Sequence, residues 1–225
     1  MPAASPAKKA YAARMPADER RIQLLSAAMD IALERGFHAV SIDGVARACG
    51  VTRPVVYGLF QDRAALLAGL MDRAEGRAMT ELAAVFPAVP SAADDIDPDE
   101  LLVAGIAAYL TAVARDPRTW RVILLPPDGA PPEMAARVNA QRRVLLRHLR
   151  GLLDWGLERR GSALDADLFA RAVFTLAEGA ARLLLADPER WPVEHFTTFC
   201  RQALTVLRPA DRPGSGLPGM RAEPA

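Results

Sequence analysis

No stretch of this chain alternates apolar and polar residues between hairpin turns, whereas segment after segment repeats apolar residues at i, i+3, i+4 and i+7. That contrast confines the 225 residues to an all-α fold. In PADERRIQLLSAAMDIALERGF the buried face is Leu24, Ala27, Ala28 and Ile31, with Asp18 and Glu19 in the first turn and Gly36 past the last. Gly36 suits the left-handed position that ends a helix, and Phe37 folds back onto its last turn. Composition agrees: hydrophobic residues reach 51% with aromatics at only 6%. The surplus is Ala, Leu and Val, side chains that let helices pack closely.

Ser41 is placed to cap a second helix of about two turns, in which Ile42, Val45, Ala46 and Cys49 repeat the spacing. Gly50 ends it. Thr52 can cap a third helix whose Val56, Leu59 and Phe60 face inward, and Pro54 then falls in the first turn, where its missing N–H has no intrahelical partner. Asp62 caps a fourth helix that runs to Phe86, followed by the Pro, Ala and Asp-rich connector PAVPSAADDIDP. Asp97 with Pro98, and Asp116 with Pro117, each read as a cap followed by a first-turn proline. Beyond the loop PPDGAPP come a long amphipathic helix over 133–160 ended by Gly161, then helices over 166–186 and 193–207, about nine helices in all. The ends, 1–15 and 209–225, are Pro-rich without a period and read as a flexible arm and a disordered tail.

Two short helices joined by a glycine-containing turn, braced by a first, form a helix-turn-helix unit. With Val56, Leu59 and Phe60 inward, the third helix shows Arg53, Pro54, Val55, Tyr57 and Gly58 outward. Arg53 can donate to guanine O6/N7 or a phosphate, Pro54 and Val55 can touch thymine methyls, Tyr57 can donate to a phosphate, and Gly58 allows close approach. Ser41, Arg47, Thr52 and Arg63 would supply phosphate contacts at the edges. Net charge is only +1, yet residues 1–63 hold nine Lys/Arg against six Asp/Glu, so the basic excess lies at the front. Spacing by itself fits three small packed helices with polar exteriors equally well.

Residues 24–67, LLSAAMDIALERGFHAVSIDGVARACGVTRPVVYGLFQDRAALL, resemble the N-terminal DNA-binding domain of the TetR family of bacterial transcriptional regulators. The paired alanines, the Gly-Phe ending, Ser41, Val45-Ala46, the run Ala48 to Thr52, Tyr57, Phe60, Arg63 and Leu66 carry the likeness. It implies that Ser41, Thr52, Arg53, Pro54, Tyr57 and Arg63 sit where the family contacts its operator. Leu59 departs from the His or Tyr common there, and Arg63 from Lys. The resemblance divides the chain into a DNA-binding domain over 16–63 and a ligand-binding and dimerisation domain over 64–208.

It also implies a homodimer built through the last two long helices. Phe169, Val173, Leu176, Ala180, Leu183 and Leu184 make the penultimate helix apolar over more than one face, and Phe196 and Phe199 follow on the last. A pocket for a small effector is implied as well, with Met79, Phe86, Tyr109, Trp120, Ile123, Met134, Trp155 and Phe174 as candidate lining and Glu178 and Arg143 as candidate polar anchors. An apolar or amphipathic ligand fits such a lining. Any one of these side chains also suits ordinary core.

Other chemistry finds no support. Cys49 and Cys200 form no metal-ligand pair, and His38, His148 and His195 are scattered. DDIDPDE lacks the glycine and distant glutamate of a calcium loop. No catalytic constellation, glycine-rich phosphate loop, signal peptide or bilayer-spanning stretch is present in the sequence. The expectation is therefore a cytoplasmic, ligand-responsive regulator, not an enzyme: a repressor that binds a palindromic operator in double-stranded DNA as a homodimer, without cofactor or metal. The alternative is a helical dimer serving as a protein-interaction or nucleoid-associated adaptor.

Overall fold

The computed structural model describes residues 15–85, 89–91, 94–126 and 128–207. Among them are nine α-helices and no strand: α1 (Ala17–Arg35), α2 (Ile42–Ala48), α3 (Arg53–Tyr57), α4 (Arg63–Val85), α5 (Pro98–Arg115), α6 (Pro117–Leu124), α7 (Pro132–Arg159), α8 (Ala166–Ala186) and α9 (Val193–Leu207). The proposed arm, apart from Met15, the proposed tail and Phe86 lie outside the described residues.

Helix starts follow from side-chain chemistry. The Ser41 hydroxyl accepts from the Gly44 N–H at 3.0 Å, Asp62 from Ala65 at 2.7 Å, and Asp97 from Asp99 at 2.7 Å. Asp116 and Asp165 cap α6 and α8 in the same way. Each satisfies an N–H that the helix leaves open. Thr52 differs. It holds the cap position of α3, but its side chain makes no capping bond. That helix stops at Tyr57 because Gly58 closes it and Leu59 turns back to bond the Val56 carbonyl at 3.0 Å. Leu59 and Phe60 therefore face inward from a turn rather than from helix.

Among the described residues four glycines, Gly36, Gly50, Gly129 and Gly161, take positive φ, which a side chain disfavours, and the first two shape the front unit. Gly50, with φ 64°, makes the corner between α2 and α3. Gly36, with φ 84°, ends α1 and opens a 3₁₀ turn over Phe37–Ala39 that the spacing of apolar residues does not signal. Arg63 ties that turn to the start of α4, donating from Nε to the Val40 carbonyl and from a terminal nitrogen to the Phe37 carbonyl, both at 2.7 Å.

Two apolar clusters form the interior. The N-terminal one gathers Leu24, Ala28, Phe37, Val45, Val56, Phe60, Leu66 and Leu70, and it also takes in Val122 of α6 and Met134 of α7. The second holds Ala78, Leu82, Leu110, Val113, Trp120, Leu124, Ala181 and Leu184. α4 runs through both, with Leu66 to Ala74 in the first and Ala78 and Leu82 in the second. α6 is shared across its width, because Trp120 and Leu124, one turn apart, face the second cluster while Val122 between them faces the first.

Candidate nucleic-acid interface and internal cavity

At the front, Thr52, Arg53, Pro54, Val55, Tyr57 and Gly58 lie exposed around α3, while Val56 beneath them is fully buried. Arg53 and Tyr57, four residues apart, share one side. The Arg53 Nε donates to Asp43 at 2.8 Å, with the two side chains 59% and 52% exposed. Tyr57 first and Asp43 second push the guanidinium further above its ordinary range. Asp43, in the first turn of α2, is a partner the sequence reading missed. It holds Arg53 aside, and a pair this exposed exchanges readily for a phosphate or a guanine edge. The Thr52 hydroxyl is left over from capping. Arg47 lies exposed on the same unit, and its Nε reaches the Asp43 carbonyl at 3.4 Å. Arg63, expected at a phosphate, instead spends two donors on the carbonyls of Phe37 and Val40 and has the remainder of its fork for any other partner. Leu59 packs against the N-terminal cluster, so it offers hydrophobic anchorage rather than a polar contact.

Behind α4 lies an internal cavity of about 130 Å³, walled by α4, α5, α6, α7 and α8. Met79, Tyr109, Trp120, Ile123, Trp155, Phe174 and Glu178 all line it. Met134 does not. It is packed into the N-terminal cluster, because the first turn of α7 lies against that cluster while the cavity begins further along the helix. The candidate anchor Arg143 is exposed and absent from the lining, and its neighbour Arg142 takes that place. Arg142 holds Glu178 through two bonds of 2.7 and 3.0 Å, a fork on a carboxylate within a mostly apolar wall.

The Trp120 Nε1 donates to Glu81 at 3.1 Å, and Tyr109 meets the Trp120 ring edge-on with centroids 5.6 Å apart. Burial, with the Glu178 carboxylate adding to it, pushes the Tyr109 phenol well above its ordinary pKa, so it stays a neutral donor. Two further polar atoms in this wall, Glu75 Oε1 and Trp155 Nε1, are buried without a hydrogen-bond partner. Sequence inspection passed over Glu75. It reads as one more charge on a surface helix until α7 covers it.

The candidate dimer residues separate into two groups. Leu176, 72% exposed, Leu183 and Phe199, 67% exposed, lie on the outside of α8 and α9, joined by Leu168. Phe169 and Val173 instead line the cavity, and Leu184 is buried in the second cluster. Ala180 and Phe196 pack against that cluster from its edge. α8 is apolar on two sides, and a count of apolar residues does not say which side faces in.

Contacts between the two halves are specific. The Phe37 N–H donates to the Asp128 carbonyl at 2.7 Å, and Arg118 of α6 pairs with Asp30 of α1. Within the 64–208 half, Arg77 of α4 holds Asp116 at 2.6 Å. Arg137 of α7 clasps Asp72 at 2.6 Å and Glu75 at 2.9 Å on α4.

Among the described residues no helix is long and apolar enough to cross a membrane, and no group of three or more His, Cys, Asp or Glu side chains could hold a metal ion. Residues 24–70 match the family profile described as bacterial regulatory proteins, tetR family. A curated relative, the HTH-type transcriptional activator FasR of Mycolicibacterium smegmatis, is 30% identical over 126 residues, 56% of this chain. The match spans 55% of that relative's length.

Solved structures share the fold. A TetR-like transcriptional regulator from a Rhodococcus species aligns over 85% of this chain and 99% of its own, with TM-score 0.66 and 22% identity. The regulator FadR of Bacillus subtilis, solved in complex with stearoyl-CoA, aligns over 81% and 96%, with TM-score 0.60 and 17% identity.

Proposed function

We propose that this chain, whose residues 24–70 match the tetR family of bacterial regulatory proteins, is a cytoplasmic, sequence-specific DNA-binding regulator whose cavity takes a long apolar chain such as an acyl group. α3 would read the major groove through Arg53, Pro54, Val55 and Tyr57, with Ser41, Arg47, Thr52 and Arg63 at the backbone. A second copy docked on the outer face of α8 and α9 would set two such helices on the half-sites of a palindrome. Leu168, Leu176, Leu183 and Phe199 supply an apolar surface for it.

One observation carries the ligand response: α4 and α6 each turn one part toward the cavity and another into the N-terminal cluster. A ligand that fills the cavity presses on Met79, Trp120 and Ile123, and the N-terminal helices must follow because Leu70 and Val122 belong to their core. The reading is a repressor released by its ligand. The apolar lining suits a chain of methylenes, and the stearoyl-CoA held by a protein of the same fold supports that class.

The test is selection of bound sequences from random duplex DNA with purified protein, repeated with Arg53→Ala, with Tyr57→Ala, and with octadecanoyl-CoA present. A palindrome lost in both variants and released by the ligand is the expected result. A well-folded dimer that enriches no sequence refutes the operator reading and leaves the adaptor. Binding that tightens with ligand reverses the sign to that of an activator.

A further inference from the structure

Resting on the apolar-chain reading, we propose that the cavity selects a chain with polar groups at both ends, a carbonyl or carboxylate oxygen at the Trp155 end and a hydroxyl at the Glu75 end. The cavity follows α7. Val138 and Trp155 both line it, and the seventeen intervening steps place their turns about 26 Å apart along the helix axis. Lining residues spread along that length suit one extended chain.

Near each end lies a buried polar atom with no hydrogen-bond partner among the described residues. Glu75 Oε1 is an acceptor, fixed in place because Oε2 is held by Arg137 at 2.9 Å, which also anchors the carboxylate beside Val138. Trp155 Nε1 is a donor, in a turn set against the start of α5, where Pro98 lies close to Gly156. The Arg159 guanidinium lies 5.3 Å over the same indole, and Arg160, paired with the buried Asp99 carboxylate, joins the lining. The Trp155 N–H is the donor this end offers to an oxygen of the chain's head.

A plain alkyl terminus at the other end would leave the Glu75 oxygen buried and unbonded, the costly state for an acceptor. A terminal hydroxyl would donate to it. Glu75 lies one turn beyond Met71 and next to Ala74, both in the N-terminal cluster. The bond would form at the junction between the two halves of the protein.

The experiment compares octadecanoic acid with its ω-hydroxy derivative, chains of comparable extended length to the cavity, by calorimetric titration of delipidated full-length protein. Wild-type protein is expected to bind the hydroxylated chain about fivefold to tenfold more tightly, the worth of one satisfied buried hydrogen bond. Glu75→Met keeps the length of the side chain and should abolish or reverse that preference. Trp155→Phe should weaken both chains alike and leave the preference intact. Equal affinities in the wild type, or a preference that survives Glu75→Met in a protein of unchanged helicity, overturn the proposal while the apolar-chain reading stands. If neither acid nor octadecanoyl-CoA binds, that reading falls and takes this one with it.

Discussion

Asp43→Asn should tighten DNA binding. In the free protein the Asp43 carboxylate lies 2.8 Å from the Arg53 Nε, and docking α3 on a duplex must release that contact while bringing an anion toward the phosphates. Both side chains are more than half exposed, so the pair is screened by solvent and weak. A carboxylate held about 7 Å from a phosphate in water adds repulsion of about 0.6 kcal/mol. Removing the charge is therefore expected to raise affinity by about fivefold per subunit. Two copies on one palindrome would square this to roughly 25-fold.

Fluorescence anisotropy on the selected operator measures the change, taken across a series of salt concentrations. The gain should shrink as salt rises, because both contributions are exposed Coulomb interactions. In an Arg53→Ala background the part that belongs to the pair should vanish, leaving only the repulsion. Unchanged or weaker binding by a folded Asp43→Asn protein would refute the reasoning and place Asp43 outside the interface.

Three further outcomes follow from the geometry. Gly36→Ala should destabilise the fold by about 1–2 kcal/mol in chemical denaturation, since the residue sits at φ 84° and an added Cβ would come within 2.9 Å of the Asp128 carbonyl. Because the folded Tyr109 phenol is raised above its ordinary value of 10.0, the unfolded chain ionises first, so the stability this group contributes is complete below pH 10 and declines above it. Tyr109→Phe should flatten that alkaline decline, and a profile that matches wild type would exclude Tyr109 as its source. Leu176→Glu with Phe199→Glu should yield a folded monomer by sedimentation, and a dimer that persists would move the contact off the outer face of α8 and α9.

Helix starts were legible because a cap is a local event. Asp97 with Pro98 and Asp116 with Pro117 mark α5 and α6 within one residue of where they begin. The front unit was legible for the same reason, its corner requiring a residue at positive φ and Gly50 standing there. Facing was not. Met134 and Trp155 are both large side chains on α7, yet one is core to the N-terminal helices and the other lines the cavity, a choice made by what packs against each turn. Arg142 and Arg143 are neighbours in sequence about 100° apart around the helix, and only the first meets Glu178. The 3₁₀ turn after Gly36 escaped notice because its anchor, the Asp128 carbonyl, lies far along the chain.

The burial of Val122 and Met134 among the N-terminal helices bears on how the molecule can be taken apart. Residues 16–63 cut out alone would lose Leu66, Leu67, Leu70, Met71 and Ala74 of α4, Val122 of α6 and Met134 of α7 from their own core, together with the Asp128 carbonyl that receives the Phe37 N–H. Such a fragment leaves a socket open to water, so its melting should be broad and its exposed apolar surface prone to self-association. A chimera that grafts these helices onto another sensor would have to carry the first half of α4, α6 and the first turn of α7 along with them. Reading head and sensor are consecutive in sequence, yet the boundary between them as cooperative units runs through the middle of both α4 and α6.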